Sequence, residues 1–576
     1  MTDRPVLLPM PRSVDLGRAR VPVSEPVVSW APALPPQGYR LRVSSEGIRL
    51  AAADPAGVSH GRATLAQLTD DGTVPEADIE DWPDLPVRGF MLDVSRDKVP
   101  TVAQLESIVD LLAAWKMNHF ELYTEHTFAY AGHEEVWRDA SPLTPEEVDH
   151  LDAYCAERQV ELTANQNCLG HMERWLSHAR YKSLAIHPDC WQDPRGRWRP
   201  ATTMEPENPA ALALARDLLG QLLPHFRSRR AHVGLDEPWE LPPERSPAYL
   251  DYLRRLRDVP ELDGRQALVW GDILAVHPEL IPQLPEGVTV CEWGYEADHP
   301  FAARAEELAG AGVPFWLCPG TSSWNSVVGR FSNARANCQS AAEVARAAGA
   351  SGYLVTDWGD YGHLQPWPVS LPGLAVAASV SWCAAASPGV DIASALDRFC
   401  FGAEGMGRAA LELGDAHLAV EPQVANMASL MLHVYHPQAR VGSGYTEGLT
   451  SDQLDRAVGI VDDAVARLAA ARPAGAGGVL MVDELSQAAA LFRHACEDAR
   501  ARLEWGGSIA GIPEGRRRGL AGQLEELADR HRQLWLARNR PGGMEDSAAR
   551  LHHLADCYRK GEGTRFQRRW LPGPGF

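Results

Sequence analysis

Two acids stand side by side at Asp236-Glu237, at the end of the apolar run Ala231-His232-Val233-Gly234-Leu235. A short apolar run rising into carboxylates reads as a buried strand that delivers both acids to a sheet edge. Adjacent strand residues point to opposite faces, so both acids reach one ligand only if the chain bends there. Paired that way, one acid donates a proton while its ionised neighbour orients a ligand or stabilises positive charge. The plain alternative is a strand-to-loop junction with two solvated acids. What stands at the neighbouring strand ends decides between them.

Short apolar runs at residues 89–94, 119–123, 160–164, 231–235, 267–270, 288–291, 314–318 and 353–356 alternate with helical patterns such as 102–115, 145–157, 210–223 and 341–348. Eight strand–helix units in about 300 residues fit a (β/α)₈ TIM barrel. No Gly-rich GxGxxG turn follows the first strand, which argues against an open doubly wound sheet. In a barrel, chemistry sits at the C-terminal strand ends. Those ends carry Asp93, Glu125-His126, Asn165 to His171, Asp236-Glu237, Trp270-Gly271-Asp272, Glu292-Trp293, Gly320 to Asn325 with Trp324, and Asp357-Trp358-Gly359-Asp360. Carboxylates and tryptophans recur at one rim, and the long insertion 165–208 would wall a deep pocket.

Around the barrel, assigned to residues 87–393, the texture differs. Residues 38–68 read strand, turn, strand, helix, which makes 1–86 a small N-terminal α+β domain that ends in the linker Asp81-Trp82-Pro83-Asp84-Leu85-Pro86. Beyond 394 the patterns are helical, at 452–471, 482–503 and 516–536, with a breaker at 473–478, so 394–576 reads as an α-helical C-terminal region. Those helices either form a homodimer or buttress the barrel. His433, His436, His552 and His553 lack an acid at metal spacing, so neither metal nor cofactor is expected. The uncharged stretch 371–390 carries Pro372 and Pro388 and reads as a buried helix rather than a membrane span.

The balance of 55 basic against 76 acidic residues, a net charge of −21, disfavours nucleic acid and anionic membranes as partners. Ten cysteines without a CxxC pair suit reduced thiols in the cytoplasm, and Met1 to Arg20 lacks a signal-peptide core. Eighteen tryptophans offer apolar faces that suit sugar rings.

Several of these segments together resemble glycoside hydrolase family 20, the β-N-acetylhexosaminidases. Arg88-Gly89-Phe90-Met91-Leu92-Asp93-Val94-Ser95-Arg96 looks like the family's first barrel strand. His232-Val233-Gly234-Leu235-Asp236-Glu237 resembles its His-x-Gly-Gly-Asp-Glu segment, Gly170-His171 its Pro-Gly-His turn, and Trp358-Gly359-Asp360 its Trp-x-Glu. The resemblance covers roughly residues 30 to 390, with the motifs in the right order. Leu235 replaces the second glycine, and Leu317-Cys318-Pro319-Gly320-Thr321 lacks a Tyr-x-Asp, which marks a divergent branch.

The resemblance implies exo-acting removal of terminal β-linked N-acetylhexosamine, with the substrate's own acetamide as nucleophile. Glu237 would then be the general acid/base, and Asp236 the ionised partner of the acetamide. Arg88, His171, Glu125, Trp270, Trp293, Trp324, Trp358 and Asp360 would contact the sugar. For Arg88 the alternative is a structural ion pair beneath the barrel. Two other functions stay open on the residues alone. One is a two-carboxylate retaining β-glycosidase with Glu292 or Asp360 as nucleophile, acting on sugars without an acetamide. The other is a catalytically silent sugar-binding protein.

Overall fold

The computed structural model describes residues 5–193 and 196–568. The first four residues of the N-terminal stretch, residues 194–195 of the long insertion and the last eight of the C-terminal region lie outside it.

Five strands open the chain: β1 (Ser13–Pro22), β2 (Val27–Trp30), β3 (Tyr39–Ser44), β4 (Gly47–Ala52) and β5 (Thr73–Asp81). They form one sheet in the order β1-β5-β3-β4-β2. Along β3 burial alternates strictly, with Tyr39, Leu41 and Val43 inside and Arg40 and Arg42 outside, so the pleat sends one face to a core. The helix Pro55–Leu68 covers that face. Asp54 caps it by accepting the Gly57 N–H, and Pro55 stands in its first turn, where no backbone donor is needed. The sequence reading found β3, β4 and the helix and missed the other three strands.

The stretch read as a linker is no loose tether. Asp81 ends β5, is fully buried, and accepts hydrogen bonds from Tyr39 Oη (2.8 Å), Lys116 Nζ (2.9 Å) and Trp382 Nε1 (2.9 Å). Lys116 and Trp382 belong to the barrel layer, so one buried carboxylate clamps the two units together. An unpaired charge there would be expensive, and the Lys116 ammonium supplies the partner.

Eight parallel strands then close a barrel: β6 (Arg88–Asp93), β7 (His119–Thr124), β8 (Glu161–Gln166), β11 (Arg230–His232), β12 (Gln266–Trp270), β13 (Val288–Trp293), β14 (Phe315–Cys318) and β15 (Gly352–Asp357). Pairing of Asp357 with Leu92 seals the ring. The extra strands β9 (Cys190–Gln192) and β10 (Trp198–Pro200) make a small hairpin inside the long insertion. All residues of β6, β7 and β15 are buried, as parallel strands covered by helices must be. Met91, Tyr123, Leu268, Trp270, Cys291, Cys318 and Leu354 fill the barrel interior. Phe90, Phe120, Val290 and Val355 face outward into the larger core shared with the helices.

Local signals explain the helices well. Thr144 and Glu147 form a reciprocal capping box that starts Pro145–Glu157 where the sequence places it. Every residue of the helix Leu371–Trp382 is buried. Among the described residues no helix is long and apolar enough to cross a membrane.

The C-terminal region supplies the long helices Ser451–Ala470, Gly475–Glu504, Glu514–Arg538 and Met544–Lys560. They lean on the barrel: Arg538 binds Glu484 and donates to Gln104, Arg540 pairs with Glu147, and Lys98 Nζ lies 5.0 Å from the Trp535 ring. Gly475 to Gly478, read as part of the breaker, form the first turn of a helix instead, and the break is confined to the preceding residues.

Candidate active site

The acid pair lies where a strand has just ended. β11 spans only three residues, and Gly234 (φ +70°), Leu235 (φ +70°) and Glu237 (φ +48°) then adopt left-handed backbone. This is the bend that lets two adjacent acids serve one pocket. Asn167, from the end of β8, steadies it twice: its Oδ1 accepts the Leu235 N–H at 3.2 Å, and its Nδ2 donates to Asp236 Oδ1 at 2.6 Å.

His171 joins the acids. Its Nε2 lies 3.2 Å from Asp236 Oδ2 and 3.2 Å from Glu237 Oε2. Gly170 makes that approach feasible, since a Cβ there would come within 2.1 Å of the Asp236 carbonyl oxygen. Burial opposes charge on His171, but the Asp236 and Glu237 carboxylates outweigh it and hold the imidazole well above its usual value. When doubly protonated, its Nδ1, 3.3 Å from Arg96 Nη2, makes a close contact there rather than accepting a bond. Asp236 is also pushed up by burial, yet the His171 charge and hydrogen bond, Arg96 and Asn167 leave it below the ordinary carboxylate range. Asp236 is therefore the ionised member. The Glu237 side chain is about a third exposed and faces the mouth.

Arg96, not Arg88, is the arginine of this rim. Arg88 starts β6, so five residues at about 3.3 Å each separate it from the C-terminal end, beyond the reach of one side chain. Its fully buried guanidinium donates to the carbonyls of Lys116 and Leu85 and to Gln37 Oε1, and stacks over Trp382. The expected sugar contact at Arg88 is thus corrected: the residue ties the barrel floor to the N-terminal sheet, through carbonyls rather than an ion pair. Arg96 stands three residues past the end of the same strand, 3.3 Å from both Asp93 Oδ2 and Glu125 Oε1 and over the rings of Tyr123 and Trp358. The nine-residue segment matched to the first strand contains both arginines, and counting residues along the strand separates them.

The other predicted residues gather around Arg96 and the acid pair. Glu125 accepts from Tyr123 Oη at 3.1 Å; burial, opposed by Arg96, pushes its carboxyl up to about 7. Asp360 is likewise raised by burial against the pull of Arg96. Trp358 and Trp270 lie 5.9 Å apart, and Trp358 Nε1 donates to Tyr295 Oη at 2.8 Å. Tyr295 stacks on Trp293 and meets the Trp324 edge, completing an aromatic wall. A Cβ at Gly320 would come within 2.4 Å of Trp324 and 3.0 Å of Tyr295, so the glycine lets both rings close on the seventh strand. Trp324 Nε1 in turn donates to Asn426 Oδ1 at 2.8 Å, a residue from beyond the barrel.

Glu292 does not join them. It points out of the barrel, 3.2 Å from Arg304 Nε on the flanking helix. Tyr123, Asn167 and Tyr295 escaped the sequence reading because polar or aromatic residues near strand ends are common, and only their convergence marks them. Among the described residues no His/Cys/Asp/Glu cluster could hold a metal ion.

A parallel eight-stranded barrel with a histidine-bridged acid pair and a tryptophan wall at its C-terminal face defines a protein of the glycoside hydrolase class. Residues 85–324 match the model of the glycosyl hydrolase family 20 catalytic domain and residues 9–82 that of the family's domain 2, together more than half of the chain. The chain belongs to glycosyl hydrolase family 20.

A beta-hexosaminidase of Akkermansia muciniphila is 30% identical over 237 residues, 36% of this chain and 47% of that protein. Hexosaminidase D of Bos taurus is 25% identical over 318 residues, 48% of this chain and 87% of that one. The chain thus spans about half the length of the first of these relatives. The GH20 exo-β-N-acetylglucosaminidase of Vibrio harveyi, solved with N-acetylglucosamine, shares the fold at a TM-score of 0.53 and 17% identity, over 65% of this chain and 73% of that one.

Proposed function

We propose that this protein is an exo-acting β-N-acetylhexosaminidase that releases terminal β-linked GlcNAc or GalNAc by substrate-assisted retaining catalysis. The observation that carries the reading is the single histidine nitrogen 3.2 Å from both Asp236 and Glu237. Around that shared contact the two carboxylates are unequal: Asn167 and Arg96 hold the buried Asp236 ionised, while the Glu237 side chain is about a third exposed. Glu237 protonates the leaving oxygen and then deprotonates the incoming water. Asp236 receives the acetamide N–H and faces the positive charge that develops when the acetamide oxygen attacks the anomeric carbon. His171 orients both acids. Arg96, Glu125 and Asp360 bind ring hydroxyls, and Trp270, Trp293, Trp324 and Trp358 wall the sugar and its methyl group.

A protein nucleophile would need a second carboxylate about 5 Å from the acid, across the glycosidic bond. Glu292 is committed to Arg304 outside the barrel, which weakens that route. The family relationship and the named hexosaminidases among the relatives support the same activity. Ten cysteines, all free thiols, fit the cytoplasm as the working compartment.

Turnover of 4-nitrophenyl 2-acetamido-2-deoxy-β-glucoside beside the plain β-glucoside tests the proposal. The first should be cleaved and the second nearly inert, and a thiazoline mimic of the cyclised intermediate should inhibit. Efficient cleavage of the plain glucoside, or an ester trapped on Asp360, overturns substrate assistance. Binding without turnover leaves a silent sugar-binding protein.

A further inference from the structure

Glu237 sits in a backbone conformation that side-chain-bearing residues seldom adopt, φ +48°. Something must hold it there, and its N–H donates to Asp272 Oδ2 at 3.0 Å. Asp272 stands two residues past the end of β12 and begins the short helix Asp272–Val276. The loop that carries it is itself wedged, because a Cβ on Gly271 would lie 2.7 Å from Glu292 Oε2. The second carboxyl oxygen of Asp272, Oδ1, is buried with no hydrogen-bond partner. A buried carboxyl half of whose capacity is unused is costly, so its retained half has a purpose in the fold or the reaction.

We propose that Asp272 is the positioning residue of the acid pair: by accepting the Glu237 N–H it holds the left-handed turn that sets the Glu237 side chain beside Asp236. The proposal rests on the reading of Glu237 as the general acid. The groups around Asp272 are Asp236 and Glu237 from the β11 end, Tyr249 from the helix Ser246–Arg257, and Glu292 beneath Gly271. Burial, reinforced by the Asp236 charge, pushes the Asp272 carboxyl up to about 7. Below that pH it is neutral. Above it, the anion accepts the N–H more strongly and adds negative charge beside the acid pair.

The test compares Asp272→Ala and Asp272→Asn in the full chain on 4-nitrophenyl 2-acetamido-2-deoxy-β-glucoside. Asp272→Ala should lower kcat about 10- to 100-fold with KM within about threefold, since a misplacement near 1 Å can cost about 10²-fold. Asp272→Asn keeps an acceptor oxygen without the charge. It should retain kcat within about fivefold of the parent, a rescue that a merely space-filling role would not give. Asp272→Ala with kcat within about twofold of the parent, or Asp272→Asn no better than Asp272→Ala, would overturn the proposal. If the parent cleaves no 2-acetamido glycoside, the proposed function fails, and a crystal structure of Asp272→Ala decides the anchor alone. Glu237 released to negative φ supports it, and Glu237 still near φ +48° overturns it.

Discussion

Glu237 and Asp236 are neighbours in sequence and share His171, yet only Asp236 is buried against Asn167 and Arg96. We predict that Glu237→Gln keeps the fold, read by circular dichroism, and loses about 10²–10⁴-fold in kcat on substrates with poor leaving groups. Near-parental rates on such a substrate would remove Glu237 from the mechanism. The two arginines of the first strand segment separate by assay. Arg96→Ala should cost about 10- to 100-fold in kcat/KM, the worth of one or two hydrogen bonds to a charged group. Arg88→Met should leave kcat/KM within about threefold and lower the urea midpoint, because it strands buried carbonyls of Lys116 and Leu85. The reverse pattern would restore Arg88 to the site.

The barrel strands were legible at the level of elements because parallel strands covered on both sides read as unbroken apolar runs. Seven agree with the sequence reading within two residues, while the fourth ends at His232 rather than Leu235, just before the left-handed turn that starts at Gly234. β1 was not legible: nearly all of its residues are exposed, so no alternation marks it. The site was legible where an acid, a histidine or a tryptophan terminates a strand. It failed where depth along the strand matters, as with Arg88, and where the chain turns left-handed without glycine. Leu235 shows the balance at such a turn. Its positive φ costs about 1–2 kcal/mol, which glycine would relieve. Its side chain is fully buried, and deleting such a leucine costs about 2–5 kcal/mol. The second effect is larger, so Leu235→Gly should destabilise the protein by roughly 1–3 kcal/mol in urea unfolding, despite removing strain. Stabilisation would show that the turn, not the packing, dominates. At the neighbouring turn, Gly170→Ala has no compensation. It must push His171 off the acid pair, and kcat should fall at least about tenfold.

Across the whole molecule, pH and assembly order come together at the same rim. The folded carboxyls of Glu125 and Asp272 titrate near 7, above their ordinary values, so the native state binds more protons than the unfolded chain between about pH 4.5 and 7. The stability they contribute is fully present below the ordinary carboxylate pKa and is lost as pH rises through about 7. Glu125→Gln should therefore flatten the decline of the unfolding free energy from urea titrations over that window, by on the order of 1 kcal/mol. A decline as steep as the parent's would assign it to other groups. The bond from Trp324 to Asn426 has a consequence of another kind. During synthesis the N-terminal parts of a chain emerge and fold first. The acid pair leaves the ribosome long before the residue that braces Trp324. Chains cut short before Asn426 would carry the acid pair beside a Trp324 that lacks its partner from beyond the barrel.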